Sequence, residues 1–301
     1  MASVKSWIKA MRLRTLPLAV SSTLAGSFMA VADQDYKPWV IALAILTTLL
    51  LQILSNMAND LGDSLKGTDN HKRLGPVRTV QGGEISIREM QWGVGLVALL
   101  TLSSGISLIL VGLGSQSWQT LLFLLLGIVS IAAAIKYTIG NTAYGYRGLG
   151  DLFVFLFFGL LGVLGTYYLN AHRLPPDTWL MAISVGLLST GVLNLNNMRD
   201  EENDRNSGKN TLVVRMGHNN ARLYHILLVG LAIVCGIIYT IFNYHSPYQF
   251  IFLAVIPLFV RDLLRIFKID EQRLLDPYLK KLALSTFAYI LLFGLGIWIG
   301  S

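Results

Sequence analysis

Trp39 to Asp63 reads WVIALAILTTLLLQILSNMANDLGD, a long apolar run that ends in Asn56, Asn59, Asp60 and Asp63. A run of this length crosses the ~30 Å hydrocarbon layer of a membrane as a helix, because lipid leaves no other partner for the backbone groups. Asn56 and Asp60 stand four residues apart, so the amide and the carboxylate share one helical face, one turn from each other. Carboxylates at membrane depth are costly and therefore need a purpose. The same arrangement returns in Asn196-Asn197-Met198-Arg199-Asp200-Glu201-Glu202-Asn203-Asp204, again at the end of an apolar segment. Each cluster continues into a Lys-Gly or Gly-Lys step, Lys66-Gly67 and Gly208-Lys209. This self-similarity suggests two related halves, about 1–148 and 149–301, within a single domain spanning 1–301.

The composition agrees with a membrane chain. Of 301 residues, 53% are hydrophobic and 14% charged, and the mean hydropathy is +0.57. Apolar residues fall in blocks, the pattern of an integral membrane protein. Nine blocks are long enough to span: 15–32, 39–58, 94–113, 119–137, 150–169, 177–197, 224–243, 247–263 and 282–300. The expected fold is all-α and integral to the membrane, about nine transmembrane helices in one bundle, with a cytoplasmic loop cap over a central cavity. All lysines and arginines except Lys37 and Arg173 fall in the tail or in alternate connections. Short cytoplasmic loops retain basic residues, so these connections and the N-terminus are expected on the cytoplasmic side.

The net charge of +7 is on this reading a topology signal. Met1 to Arg14 is too polar for a cleaved signal peptide. The single cysteine, Cys235, leaves neither a disulfide nor a thiolate metal site.

Hard divalent cations such as Mg²⁺ take oxygen ligands and bind through a few carboxylates together with substrate phosphates. Asp60, Asp63, Asp200 and Asp204 supply such carboxylates from facing elements, and Asn56 and Asn196 add amide oxygens. Two acidic patches that face each other repel unless cations and a diphosphate lie between them. Lys66, Arg73, Arg78 and Lys209 are then placed to neutralise diphosphate oxygens, although each also fits an ordinary positive-inside residue. An apolar bundle behind a diphosphate site implies a lipid substrate, and an allylic prenyl diphosphate ionises once its leaving group is neutralised. Tyr137, Tyr144 and Tyr146 lie in one connection, where their rings can stabilise positive charge and their hydroxyls can orient an aromatic acceptor. An interfacial aromatic belt is the plainer reading. Asp69 is a further ligand or a solvated loop residue, and Asp151, between Gly150 and an apolar run, is placed to cap the fifth span. The five histidines lack ligand spacing and receive no role.

These residues carry a family pattern. Arg12-Leu13-Arg14-Thr15-Leu16-Pro17, Leu54 to Asp63, Leu74-Gly75-Pro76-Val77-Arg78, Tyr144 to Asp151, and Asn196 to Asp200 followed by Asp204, Arg205, Gly208 and Lys209 resemble the intramembrane aromatic prenyltransferases. That superfamily includes 4-hydroxybenzoate polyprenyltransferase, protohaem farnesyltransferase and chlorophyll synthase, and the resemblance is strongest to the branch acting on 1,4-dihydroxy-2-naphthoate. It implies a nine-helix bundle in a bacterial plasma membrane, open sideways to lipid, with its site facing the cytoplasm. The implied reaction is Mg²⁺-dependent transfer of a polyprenyl chain from its diphosphate to the naphthoate, with loss of carbon dioxide, giving demethylmenaquinone. Asn56, Asp60, Asp63, Asn196, Asp200 and Asp204 match the ligand motifs. Asp60 and Asp200, with Tyr137, Tyr144 and Arg147, are the expected catalytic groups, Tyr144 and Arg147 replacing a Tyr-Lys pair of the hydroxybenzoate relatives that Tyr137 and Asn141 do not reproduce. Two alternatives stand beside this reading: another acceptor such as 4-hydroxybenzoate or homogentisate, and an ion-coupled transporter.

Overall fold

A computed structural model describes residues 2–69, 74–115 and 117–300, and among them the regular structure is entirely helical. The order is α1 (Val4–Met11), α2 (Leu16–Ala32), α3 (Pro38–Leu65), α4 (Ile87–Leu113), α5 (Trp118–Lys136), α6 (Gly150–Val154), α7 (Thr166–Ala171), α8 (Thr178–Asn206), α9 (Leu212–Met216), α10 (His218–Phe242), α11 (Ile256–Ile266) and α12 (Asp276–Gly300). A π-helical stretch, Phe155–Gly165, joins α6 to α7 into one rod. Among the described residues eight helices are long and apolar enough to cross a membrane. The chain is a multi-pass membrane protein.

Local chemistry explains where the elements begin. Ser86 and Glu89 form a reciprocal capping box at the start of α4. The Ser3 side chain accepts from the Ser6 N–H, and so the polar tail becomes the helix α1 rather than an extended arm. Pro38 at the start of α3 loses no hydrogen bond there, since the first N–H groups of a helix lack partners anyway.

The eighth expected segment, 247–263, takes a different form. Ser246 caps a 3₁₀ stretch, Pro247–Val255, which runs into α11. Pro257 sits where the winding changes from 3₁₀ to α, and Arg261 and Asp262 place two charges within what hydropathy alone reads as one span.

Lipid is as apolar as leucine, so helices in a membrane associate through close packing and small residues. The π stretch meets α8 at Gly159 and Gly186, where a Cβ on Gly159 would come 2.6 Å from the Ala182 carbonyl. Likewise a Cβ on Gly26 of α2 would lie 2.3 Å from the Val163 carbonyl. The core gathers α2, α8, α10 and α12 around Met29, Met181, Leu188, Tyr289 and Phe293.

The helices α3 and α8 end alike. Gly67 and Gly208 both adopt φ +71°, the left-handed region open to glycine. In each end the residue after the glycine donates its N–H back to an aspartate carbonyl, Thr68 to Asp63 at 3.0 Å and Lys209 to Asp204 at 2.8 Å. The cap geometry thus pairs Asp63 with Asp204, and both motifs arrive at one face of the bundle in equivalent settings.

Candidate active site

Below the motif face lies a cavity of about 740 Å³ whose wall includes residues of α2, α3, α4, α5, the α6–α7 rod and α8. Ala44 and Asp60 both line it. They stand sixteen positions apart on α3, about 24 Å at 1.5 Å per residue. The chamber therefore runs along most of the bundle, polar at one end and walled by Leu108, Phe123, Phe157 and Leu161 further in.

The first motif is held by donors that spacing does not reveal. Thr79 gives both its N–H (3.1 Å) and its hydroxyl (2.5 Å) to Asp60 Oδ2. Asn56 donates from Nδ2 to the Met11 carbonyl and to Thr15 Oγ1, both at 2.9 Å, and accepts from Gln52 at 3.2 Å. That ties the α1–α2 elbow to the motif. Arg78 Nη1 reaches the Asn59 carbonyl and Asp63 Oδ2, each at 2.7 Å, and lies 3.1 Å from Asp69 Oδ2. Tyr146 donates to Asp63 Oδ1 at 2.7 Å and pairs with the Thr68 hydroxyl at 2.6 Å. Lys209 Nζ stands between the halves, 3.9 Å from Asp63 Oδ2 and 3.8 Å from Asp204 Oδ1.

In the second motif Arg199 grips Asp200 with Nε at 2.9 Å and Nη2 at 2.6 Å, and Nη2 also donates to Asn196 Oδ1 at 2.9 Å. Among the described residues no group of three His, Cys, Asp or Glu stands close enough to hold a metal ion as the side chains lie. The carboxylates are turned toward basic and hydroxyl groups instead.

The electrostatics follow from this mixture. Burial pulls the Arg78 and Lys209 pKa values down, but the surrounding aspartates, Asp63 foremost, outweigh it and leave both above their ordinary values. Lys66 goes the other way: desolvation, then Lys209 and Arg147, lower it against Asp63. For Tyr137 burial, with the Asp151 and Asp63 carboxylates behind it, pushes the hydroxyl up, so Tyr137 is a donor and not a phenolate.

The structure brings most of the expected residues together. Asn56, Asp60, Asp63, Arg78, Tyr137, Tyr144, Asn196 and Lys209 line the cavity. The Tyr144 ring stacks on Phe153 at 4.0 Å and meets Tyr137 edge-on at 5.3 Å, while its hydroxyl is spent on the Ala133 carbonyl. Asp200 and Asp204 sit behind the wall rather than in it. Lys66 is exposed, its ammonium 3.8 Å above the Tyr146 ring, and Arg147 is exposed with its carbonyl taken by Arg215; neither lines the cavity. Arg73 lies outside the described residues. Asp151 is buried near the start of α6 and does not line the cavity. Sequence reasoning missed Thr79, Tyr146 as an aspartate partner, and Arg199.

The sequence profile of the UbiA prenyltransferase family matches residues 19–284. The chain is 42% identical over 295 residues to the 1,4-dihydroxy-2-naphthoate octaprenyltransferase of Escherichia coli (strain K12), covering 98% of this chain and 96% of that one. It is 41% identical over 300 residues to the protein of that name from Haemophilus influenzae (strain ATCC 51907 / DSM 11121 / KW20 / Rd), with 99% and 97% covered. Among solved structures, the apo UbiA homolog from Aeropyrum pernix K1 shares the fold with a TM-score of 0.65 at 17% identity, over 99% of each chain. A UbiA homolog from Archaeoglobus fulgidus bound to DMAPP and Mg²⁺ aligns with a TM-score of 0.60 at 15% identity, over 96% of this chain and 99% of that one.

Proposed function

The chain belongs to the UbiA prenyltransferase family, and from that footing we propose that it transfers a polyprenyl chain from its diphosphate to 1,4-dihydroxy-2-naphthoate, releasing diphosphate and carbon dioxide and giving demethylmenaquinol, the reduced form of demethylmenaquinone. The observation that carries this reading is full-length likeness to naphthoate octaprenyltransferases, joined to a long apolar chamber whose polar end gathers both acidic motifs.

The donor set fits a hard cation. Asn56, Asp60, Asp63, Asn196, Asp200 and Asp204 offer only oxygen, and neither cysteine nor histidine stands among them. These side chains would hold Mg²⁺, which when bound would neutralise charge on the leaving diphosphate. Arg78 and Lys209 reach the same volume and add fixed positive charge from the protein. Asp60, held by Thr79, is presented to the cavity in one rotamer, which is what preorganised stabilisation requires. Tyr137, Tyr144 and Phe153 turn ring faces and edges toward the same space, where an allylic carbon gaining positive charge is stabilised and shielded from water. The Tyr137 hydroxyl, protonated by its surroundings, donates to the acceptor ring's oxygen rather than removing its proton.

The basic connections favour an orientation with the motif face toward the cytoplasm, and the likeness to bacterial relatives supports the bacterial inner membrane as its place. The matching caps of α3 and α8 support the division into related halves, about 1–148 and 149–301.

The test is an assay of purified, membrane-reconstituted protein with Mg²⁺ and octaprenyl diphosphate, offered 1,4-dihydroxy-2-naphthoate and 4-hydroxybenzoate in competition. Mass spectrometry should find prenylated naphthoate and an equal yield of carbon dioxide. Prenylated benzoate as the main product would move the acceptor assignment, and transport of unaltered substrate would overturn the enzyme reading.

A further inference from the structure

Among the described residues Arg199 is the bulkiest side chain that the fold buries, and it stands inside the second acidic motif. Its guanidinium serves two carboxylates at once. Nε and Nη2 take both oxygens of Asp200, while Nη1 takes Asp276 Oδ1 at 2.5 Å. Asp276 is the first residue of α12, and its other oxygen lies 3.9 Å from Arg14 at the end of the α1–α2 elbow. Leu279 and Lys280, one turn further along α12, line the cavity mouth.

A cation that takes Asp200 competes with Arg199 for the same lone pairs. A buried guanidinium deprived of its carboxylate would be left uncompensated, which is among the costliest states a protein interior can hold. Asp276 removes that difficulty: it is already in contact, it is partly exposed, and it can accept the planar fork of the guanidinium bidentately.

We propose that Arg199 is the internal counter-ion of the second acidic motif, a positioning residue that holds Asp200 when no divalent cation is bound and passes to Asp276 when one is. This rests on the magnesium reading of the site given above. The exchange links metal occupancy to the α12 end of the cavity mouth, because the residue that receives Arg199 begins that helix.

The experiment uses the full chain in detergent and measures the thermal midpoint in EDTA and across a Mg²⁺ series, with inorganic diphosphate as the probe. Three proteins are compared: the unsubstituted chain, Arg199→Met and Asp276→Asn. In EDTA the Arg199→Met midpoint should fall, and its rise on adding Mg²⁺ should exceed that of the unsubstituted chain, because the cation replaces the missing charge. Asp276→Asn should lower the midpoint in EDTA by less than Arg199→Met does, because Asp200 still holds the guanidinium, and it should need about tenfold more Mg²⁺ for half its rise, since the released guanidinium loses a charge-assisted partner. Equal Mg²⁺-dependent rises in all three proteins, with midpoints merely displaced, would overturn the role given to Arg199 and leave the magnesium reading intact. No rise in the unsubstituted chain would overturn both. Should Arg199→Met fail to fold, the Mg²⁺ series on Asp276→Asn decides alone.

Discussion

Arg78, Tyr146 and Lys209 converge on Asp63 from three different connections. Removing one partner of such a buried pair leaves the other uncompensated, so Arg78→Ala should cost about 3 kcal/mol of stability. Thermal unfolding of the detergent-solubilised protein checks this. Tyr146→Phe removes two hydrogen bonds without removing a charge and should cost less, about 1–2 kcal/mol. Tyr137 yields a prediction in pH. Burial and neighbouring carboxylates favour its neutral form, so its pKa lies above the ordinary 10.0 and it stays protonated through neutral and mildly alkaline conditions. The rate profiles of the unsubstituted enzyme and Tyr137→Phe should then share the same alkaline limb between pH 7 and pH 9, differing in height alone. A limb that vanishes in Tyr137→Phe would make it the base.

At the scale of elements, Gly159 and Gly186 set the distance between the π stretch and α8, and hence the position of the second motif relative to the cavity. Gly159→Ala drives a Cβ into the Ala182 carbonyl, a backbone atom that cannot move aside, and should destabilise by about 1–3 kcal/mol as overpacking does. Differential scanning measurements would detect it as a lowered midpoint. The helices α3 and α8 run to Leu65 and Asn206, past the apolar blocks 39–58 and 177–197 read from the sequence, whereas the Asn, Asp and Gly residues that mark their last turns were legible in it. The holders of those residues were not. Thr79 lies nineteen positions from Asp60, and Tyr146 eighty-three from Asp63, separations that no periodicity encodes. Arg199 was hidden differently: an arginine at the membrane face reads as a topology signal, and burial alone reveals its second use. Segment 247–263 illustrates the limit of hydropathy, which registers an apolar run and not whether it is wound as α or 3₁₀ helix.

For the whole molecule, the fold class and the position of the polar end of the cavity followed from the chain's block pattern and its two motifs. The chamber's depth did not, since the apolar faces of many helices look alike until they are packed. Two faces of the bundle carry different chemistry: aspartates with Arg78 and Lys209 on one, and Lys37, His172 and an Arg173–Asp33–Asp35 cluster on the other. With the motif face cytoplasmic, a single cysteine at Ser207 in a Cys235→Ser background should resist a membrane-impermeant maleimide in intact spheroplasts. A cysteine at Asp35 should react with it. The reverse pattern would invert the topology.

The most direct measurement is prenyl transfer by Asp60→Asn and Asp200→Asn in reconstituted membranes, with folding verified by thermal unfolding and Mg²⁺ and both substrates saturating. Each substitution keeps the shape of the side chain and deletes one charge from one half of the site. The account predicts that each protein folds and that each loses at least about a hundredfold in turnover, the scale on which removing a preorganised electrostatic group acts. Full turnover in either well-folded variant would contradict the claim that the two motifs together hold the diphosphate and its cation.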